Sequence, residues 1–240
     1  MKAVGLRKSL PIRDENSLID VELEKPKATG RDLLIKVEAV SVNPADCKFR
    51  SHALGDTESP VPVIIGWEAS GRVESVGEDV TLFKAGDEVY YSGTLNRPGC
   101  DAEYQLVDER IVGRRPKKIS VADATSIPVS GLTVFELFFD RMSMSAEKDK
   151  GKTILMIGGA GGVGSLAIQV AKKLLSMTVI ATASRKETQE WCKVQGADYV
   201  VDHRNLVDNV RQLGFQEIDY IMDFANLEAH WKSIAILIKP

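Results

Sequence analysis

The amino-acid sequence predicts an α/β chain in two parts: an antiparallel β lobe, then a doubly wound parallel sheet. Three observations lead there. Residues 1 to about 113 carry short β-favouring runs separated by turn signals. From Thr153 onward, strand and helix patterns alternate with short connections, which is how parallel βαβ units read. Between the first of those strands and its helix lies TILMIGGAGGVG (153–164), whose turn is mostly glycine.

In the first part, Leu33, Ile35, Val37 and Ala39 alternate with Leu34, Lys36, Glu38 and Val40, a period of two along one long strand. The other strand candidates are 1–6, 19–24, 71–76, 88–91 and 102–107, with turns at Gly30, Gly77 and Gly86 between them. No helix-period segment of useful length interrupts this half, so an all-β, barrel-like lobe is expected. Past the turn-rich 116–120, residues 122–126 and 132–141 read as helical, divided by Pro128 and Gly131, and 146–151 as a charged linker. Then come strand 153–157 and a helix whose apolar face is Val163, Leu166, Ala167, Val170 and Leu174. Strand 178–183, helix 187–195, strand 199–201, helix 206–213, strand 218–223 and helix 230–238 follow. The expected domains are 1–127 and 128–240. A doubly wound sheet would continue with another strand after Pro240, so the second domain is expected to be incomplete at its C-terminal edge.

The 240 residues are 44% hydrophobic and 27% charged, ordinary globular values, with a net charge of -3 that gives no reason to expect nucleic acid or an anionic membrane. There is no apolar run long enough to span a bilayer and no signal-peptide pattern at the N-terminus. Cys47, Cys100 and Cys192 are too widely spaced to suggest a disulfide framework. A cytoplasmic protein with reduced thiols is the expectation.

Gly159, Gly161 and Gly164 satisfy G-x-G-x-x-G between strand and helix, the dinucleotide fingerprint of a Rossmann-type sheet. Gly159 is read as permitting the tight turn, Gly161 as letting the backbone approach a pyrophosphate, and Gly164 as letting helix and strand pack closely. Ala160, Gly162 and Val163 complete the cradle, and the helix N-terminus offers N–H groups and partial positive charge to phosphates. At the end of the next strand, where an NAD site wants an acid for the ribose 2′-hydroxyl, the sequence has Ser184, Arg185 and Lys186. A hydroxyl and a guanidinium suit a 2′-phosphate, which points to NADPH; the plainer alternative is a solvated helix start. Phe224 and Asn226, just past Asp223, are expected to border the cofactor crevice at its carboxyl edge.

SVNPADCKFR (41–50), GWEASGRVESVG (66–77), GDEVYY (86–91) and IGGAGGVG (157–164) together resemble the medium-chain dehydrogenase/reductase superfamily. Within it, the chain is similar to the quinone oxidoreductase branch and to proteins labelled zinc-type alcohol dehydrogenase-like. The resemblance covers the whole chain and implies an N-terminal GroES-like β-barrel domain, a nicotinamide held in the cleft between the lobes, and a longer full-length protein. It also implies where zinc would sit, and there Asn43 stands at a Cys position and Trp67 at a His position, neither a normal zinc ligand. Glu68 alone makes no site, and only Cys100 lies where a structural-zinc lobe would hold four cysteines. No metal is expected. Without a Lewis acid, a quinone or enone that spreads charge into an enolate or quinol suits the site better than an unactivated ketone.

By the same resemblance, Asn43 would lie near the nicotinamide ribose or the substrate carbonyl. Lys48, where relatives carry a Tyr, could donate a proton, with Asp46 orienting it; an ordinary surface ion pair is the alternative. Thr133 matches a position that contacts cofactor. Tyr90 and Tyr91 read as padding of the β lobe and Trp67 as a filler of the lost ligand's space. His203 and His230 show no triad partners, and no G-x-S-x-G elbow supports a hydrolase. The expected function is NADPH-dependent, zinc-independent reduction of quinones or α,β-unsaturated carbonyls, with a small-molecule substrate and a homodimer as the implied assembly. Its rivals are a zinc-dependent alcohol dehydrogenase and a non-catalytic NADPH-binding protein.

Overall fold

The computed structural model describes every residue, Met1–Pro240, as two compact units, Met1–Val129 and Ser130–Pro240. The first contains β1 (Lys2–Leu6), β2 (Ile19–Glu22), β3 (Asp32–Val40), α1 (Pro44–His52), β4 (Val63–Ile64), β5 (Glu68–Val76), β6 (Glu88–Ser92), β7 (Tyr104–Asp108), β8 (Val112–Arg114) and α2 (Val121–Thr125). They form two antiparallel sheets, β2-β1-β4 and β7-β3-β5-β6-β8, joined by a bridge between Ala3 and Ala102. Alternation along β3 buries Leu33, Ile35 and their neighbours against Val73, Val89 and Tyr91, as a half-buried sheet requires. Tyr91 pads this core, its hydroxyl donating to Gln105 at 2.8 Å.

One element departs from the sequence reading. Residues expected to belong to an all-β lobe form α1, nine residues long. PADCKFRSH has no apolar stripe, so periodicity misses it, but its start is well signalled. Asn43 is the N-cap in extended conformation, Pro44 occupies the first turn, and Asp46 sits at N3 with its carboxylate accepting from the Asn43 N–H at 2.5 Å.

The second unit begins within α3 (Pro128–Phe135), which continues into a π-helical stretch, Glu136–Arg141. Pro128 does mark the break after α2 (Val121–Thr125), but it opens α3, where a first-turn proline loses no hydrogen bond, and Gly131 lies inside the helix instead of before it. The charged linker contains a single turn, α4 (Ala146–Asp149). Then follow β9 (Thr153–Ile157), α5 (Gly162–Lys173), β10 (Thr178–Thr182), α6 (Lys186–Gln195), β11 (Tyr199–Val201), α7 (Leu206–Gln212), β12 (Tyr220–Asp223) and α8 (Leu227–Leu237). The sheet is fully parallel in the order β11-β10-β9-β12, so β9 lies at the switch point with connections leaving to both sides. All five residues of β9 are buried, Ile154 and Met156 in one core, Leu155 and Ile157 in the other.

The buried stripe of α5 is Gly164, Ala167, Ile168 and Ala171, whereas Leu174 is half exposed at the helix end. The helix is rotated from the expected face because its smallest residues, not its largest, allow the closest approach to the sheet.

Candidate active site

The glycine turn at the carboxyl end of β9 is built as much by packing as by flexibility. Gly158, not Gly159, takes the left-handed conformation, with φ +81°, so the turn falls one residue earlier than the motif reading places it. Gly159 is needed for another reason: a Cβ there would lie 2.8 Å from the Ala181 Cβ on β10. A Cβ on Gly164 would lie 2.5 Å from the Gly158 carbonyl oxygen, which is the close helix–turn packing expected of the last glycine. Gly161, the N-cap of α5, would meet nothing nearer than 3.5 Å, so its surface is open to a ligand. The Gly158 N–H donates to the Thr182 Oγ1 at 3.0 Å, tying the turn to the neighbouring strand.

Ala160 and Gly161 line a pocket of about 230 Å³ together with Thr182, Ser184 and Arg185. Ser184 and Arg185 are exposed at the end of β10, and no ion pair engages Arg185. Arg185 is thus a cation beside the glycine turn with no carboxylate of the chain paired to it. Val163 packs partly against the core, and Gly162 lies beside Ser130 of α3, whose Oγ would be 3.1 Å from a Cβ there. Ser130, which the sequence reading passes over, is thus the α3 side chain nearest the cradle by this measure, while Thr133 is on an exposed position of the same helix. Phe224 donates its N–H to the Ile157 carbonyl, and Asn226 caps α8 by accepting from the Ala229 N–H, so both are held at the carboxyl edge of the sheet. His203 and His230 also line this pocket, and His230 has a partner after all: its Nδ1 lies 2.7 Å from an Asp223 carboxylate oxygen.

In the first unit, Asn43, Asp46 and Lys48 all belong to α1 or its cap. Glu68, 1% exposed, is the hub. Its Oε2 accepts from the Asn43 Nδ2 at 2.7 Å and its Oε1 from the Val129 N–H at 2.7 Å. Because a carboxylate only accepts, the Asn43 amide must turn its NH2 to Glu68, leaving Oδ1 as its acceptor atom. Asp46 is 6% exposed and burial raises its carboxyl above the usual range, an effect opposed by the Asn43 N–H; its Oδ1 has no partner. It makes no hydrogen bond to Lys48, the residue the sequence pairs it with. Its bonding oxygen is committed to the helix cap, no ion pair joins the two, and Lys48 is exposed.

Trp67 fills the space beside α1, 6% exposed, edge-on to Phe49 at 4.7 Å with its Nε1 unpartnered. Nearby, desolvation and the neighbouring Asp46 push the Asp101 carboxyl up to about 6, and burial pushes the Cys100 thiol up to about 12. Cys192 is likewise buried and shifted up by desolvation, whereas Cys47 is exposed on α1. No three His, Cys, Asp or Glu side chains group in a way that could hold a metal ion, so the residues here do not fit zinc. A larger hollow of about 480 Å³, lined by Gly93, Thr94, Arg97 and Asp108, contains none of the candidate residues, and Arg97 there is paired with Asp32. No helix is long and apolar enough to cross a membrane.

Comparison with known proteins bears on both units. Residues 29–117 match the alcohol dehydrogenase GroES-like domain and residues 162–240 the zinc-binding dehydrogenase family. A zinc-type alcohol dehydrogenase-like protein of Staphylococcus aureus is 43% identical over 245 aligned residues, covering 100% of this chain and 71% of its own length. An NADPH-dependent alkenal/one oxidoreductase of Arabidopsis thaliana is 36% identical over 194, covering 78% of this chain and 48% of the relative. Among solved structures, a Rhizobium etli protein provisionally named a zinc-dependent alcohol dehydrogenase superimposes with a TM-score of 0.93 at 47% identity, over 100% of this chain and 70% of that one. The quinone oxidoreductase of Coxiella burnetii gives 0.81 at 31% identity, over 99% and 72%.

Proposed function

This chain belongs to the medium-chain dehydrogenase/reductase superfamily, in its quinone oxidoreductase-like branch, and from that premise we propose that it is an NADPH-dependent, zinc-independent reductase of quinones or α,β-unsaturated carbonyls. The observation that carries the reading is the set of groups around α1. Where a metal enzyme of this superfamily would present ligands, the chain has an amide and an indole, Asn43 and Trp67, and the adjoining carboxylate, Glu68, is spent on two N–H donors.

NADPH, when bound, supplies a hydride to the acceptor's β-carbon or quinone ring. The chain does the rest by binding and orientation. The N–H groups at the start of α5 hold the diphosphate, and Ser184 and Arg185 hold the 2′-phosphate. Asn43, its NH2 fixed by Glu68, offers Oδ1 as an acceptor. That suits a hydroxyl such as the nicotinamide ribose's and not a substrate carbonyl, which needs a donor. Lys48, exposed on the same helix, is the group that would deliver a proton to the developing oxyanion. The Staphylococcus and Rhizobium relatives carry zinc in their names and the Arabidopsis and Coxiella proteins carry alkenal and quinone chemistry in theirs; the donor set here favours the second pair.

The test is a titration with NADPH and NADH followed by an acceptor screen in the presence of a metal chelator. Tighter NADPH binding and chelator-insensitive reduction of at least one quinone or enone are expected. Activity that vanishes on chelation and returns with zinc overturns the proposal. Tight NADPH binding with no turnover on any acceptor favours a non-catalytic nucleotide binder instead.

A further inference from the structure

We propose that His230, pinned by Asp223, binds the sugar of the nucleotide: its Nε2 accepts a hydrogen bond from the adenosine ribose 3′-hydroxyl, which NADPH and NADH share. The inference deepens the nucleotide-binding reading above and rests on it. Asp223 ends β12 with a side chain only 2% exposed. One of its oxygens accepts from the Ala225 N–H at 2.7 Å and the Asn226 N–H at 3.0 Å, and the other faces His230 Nδ1 at 2.7 Å. A buried carboxylate accepts hydrogen bonds, so Nδ1 carries the proton, and in the neutral ring Nε2 is left as an acceptor.

No hydrogen bond within the chain uses that Nε2, and it is not among the buried polar atoms lacking a partner. The ring is 13% exposed and lines the pocket that also holds Arg185 and Thr182. An acceptor facing a nucleotide pocket selects a group that has a proton to give. A phosphate dianion has none; a sugar hydroxyl does. Arg185 would then read the 2′-phosphate while His230 reads what both nucleotides have in common. His203 stands edge-on to His230, 5.9 Å between ring centres, as a neighbouring wall. Its own nearest charged group is Asp202 at 3.9 Å, already held by Arg204, so nothing fixes its tautomer as Asp223 fixes that of His230.

A purely structural dyad that pins the first turn of α8 would change stability but not affinity, and the experiment separates the two. Dissociation constants for NADPH and NADH are measured by fluorescence titration on the full chain and on H230F, H230Q and R185A, with thermal unfolding recorded for each. H230F is expected to weaken both nucleotides by the same factor, about 5-fold, the effect of one neutral hydrogen bond. H230Q, whose Oε1 can take the place of Nε2, recovers part of the loss, and R185A weakens NADPH alone. Unchanged constants for a folded H230F, or a loss confined to NADPH, overturn the assignment. Should H230F fail to fold, the imidazole 15N spectrum of the unaltered chain decides: the unprotonated Nε2 resonance moves on adding NADPH, or the proposal falls. An unaltered chain that binds NADPH but reduces no acceptor defeats the reductase reading while these titrations still judge His230; one that binds neither nucleotide defeats both.

Discussion

The glycine turn of the second unit and the capped helix of the first are built by opposite means. At the turn, what matters is what is missing. Gly159 and Gly164 sit where a single methyl group would collide with a neighbour, and the start of α5 presents backbone N–H groups rather than side chains. Around α1, what matters is what is spent. Glu68 and Asp46 are buried carboxylates and Asp101 a half-buried one, with no cation paired to any of them, and Glu68 and Asp46 are held by N–H donors. Burying such groups costs free energy unless hydrogen bonds offset it, so the helix region is held by a polar network and the turn by fit.

That contrast can be broken by substitution. The largest effect belongs to the turn: Gly164→Ala places a Cβ 2.5 Å from the Gly158 oxygen and 2.8 Å from Gly159, all backbone atoms, and is expected to cost about 3 kcal/mol or more by chemical denaturation. Gly161→Ala, with 3.5 Å of clearance, should leave stability within about 0.5 kcal/mol and show its effect on NADPH affinity alone. If the two substitutions cost the same, the turn is not held by fit.

Next is Glu68→Gln, which keeps the shape but points an NH2 at one of two N–H donors. A loss of about 2 kcal/mol is expected, and a loss near zero would show the polar network to be incidental.

A smaller effect than that of Glu68→Gln belongs to Asp101→Asn. A carboxyl raised from 3.8 to about 6 binds its proton more tightly in the folded chain than in the unfolded one. Stability therefore falls as pH rises from about 4 to about 6 and stays lower above that. In full burial such a displacement would amount to about 3 kcal/mol, and partial exposure reduces this to about 1 kcal/mol. The variant should be more stable than the unaltered chain at pH 7 by that amount and equal to it below pH 4, as read from unfolding curves across the range.

The two regions also differ in how much of them a reader of the sequence can see. The turn is visible because its determinants are contiguous: five buried β residues, a glycine run and a helix within twelve positions of one another. Even so, the left-handed residue is Gly158, outside the G-x-G-x-x-G frame, since the motif records spacing and not dihedral angles. The helix α1 leaves no periodic trace because Phe49 is its one large apolar residue, although Asn43, Pro44 and Asp46 spell out its cap. The Glu68 hub joins groups 25 and 61 positions away, and no local pattern encodes that. His230 and Asp223 are only seven apart, but they face each other across a strand end and a helix start, where neither a period of two nor one of 3.6 applies.

The three thiols carry a practical consequence. Cys100 and Cys192 are enclosed and their sulfurs are held in the unreactive protonated form, while Cys47 stands open on the helix that bears Asn43 and Lys48. The molecule thus comes with one natural attachment point, sited beside its candidate chemistry, and a reporter dye placed there would watch acceptors arrive without any engineered handle.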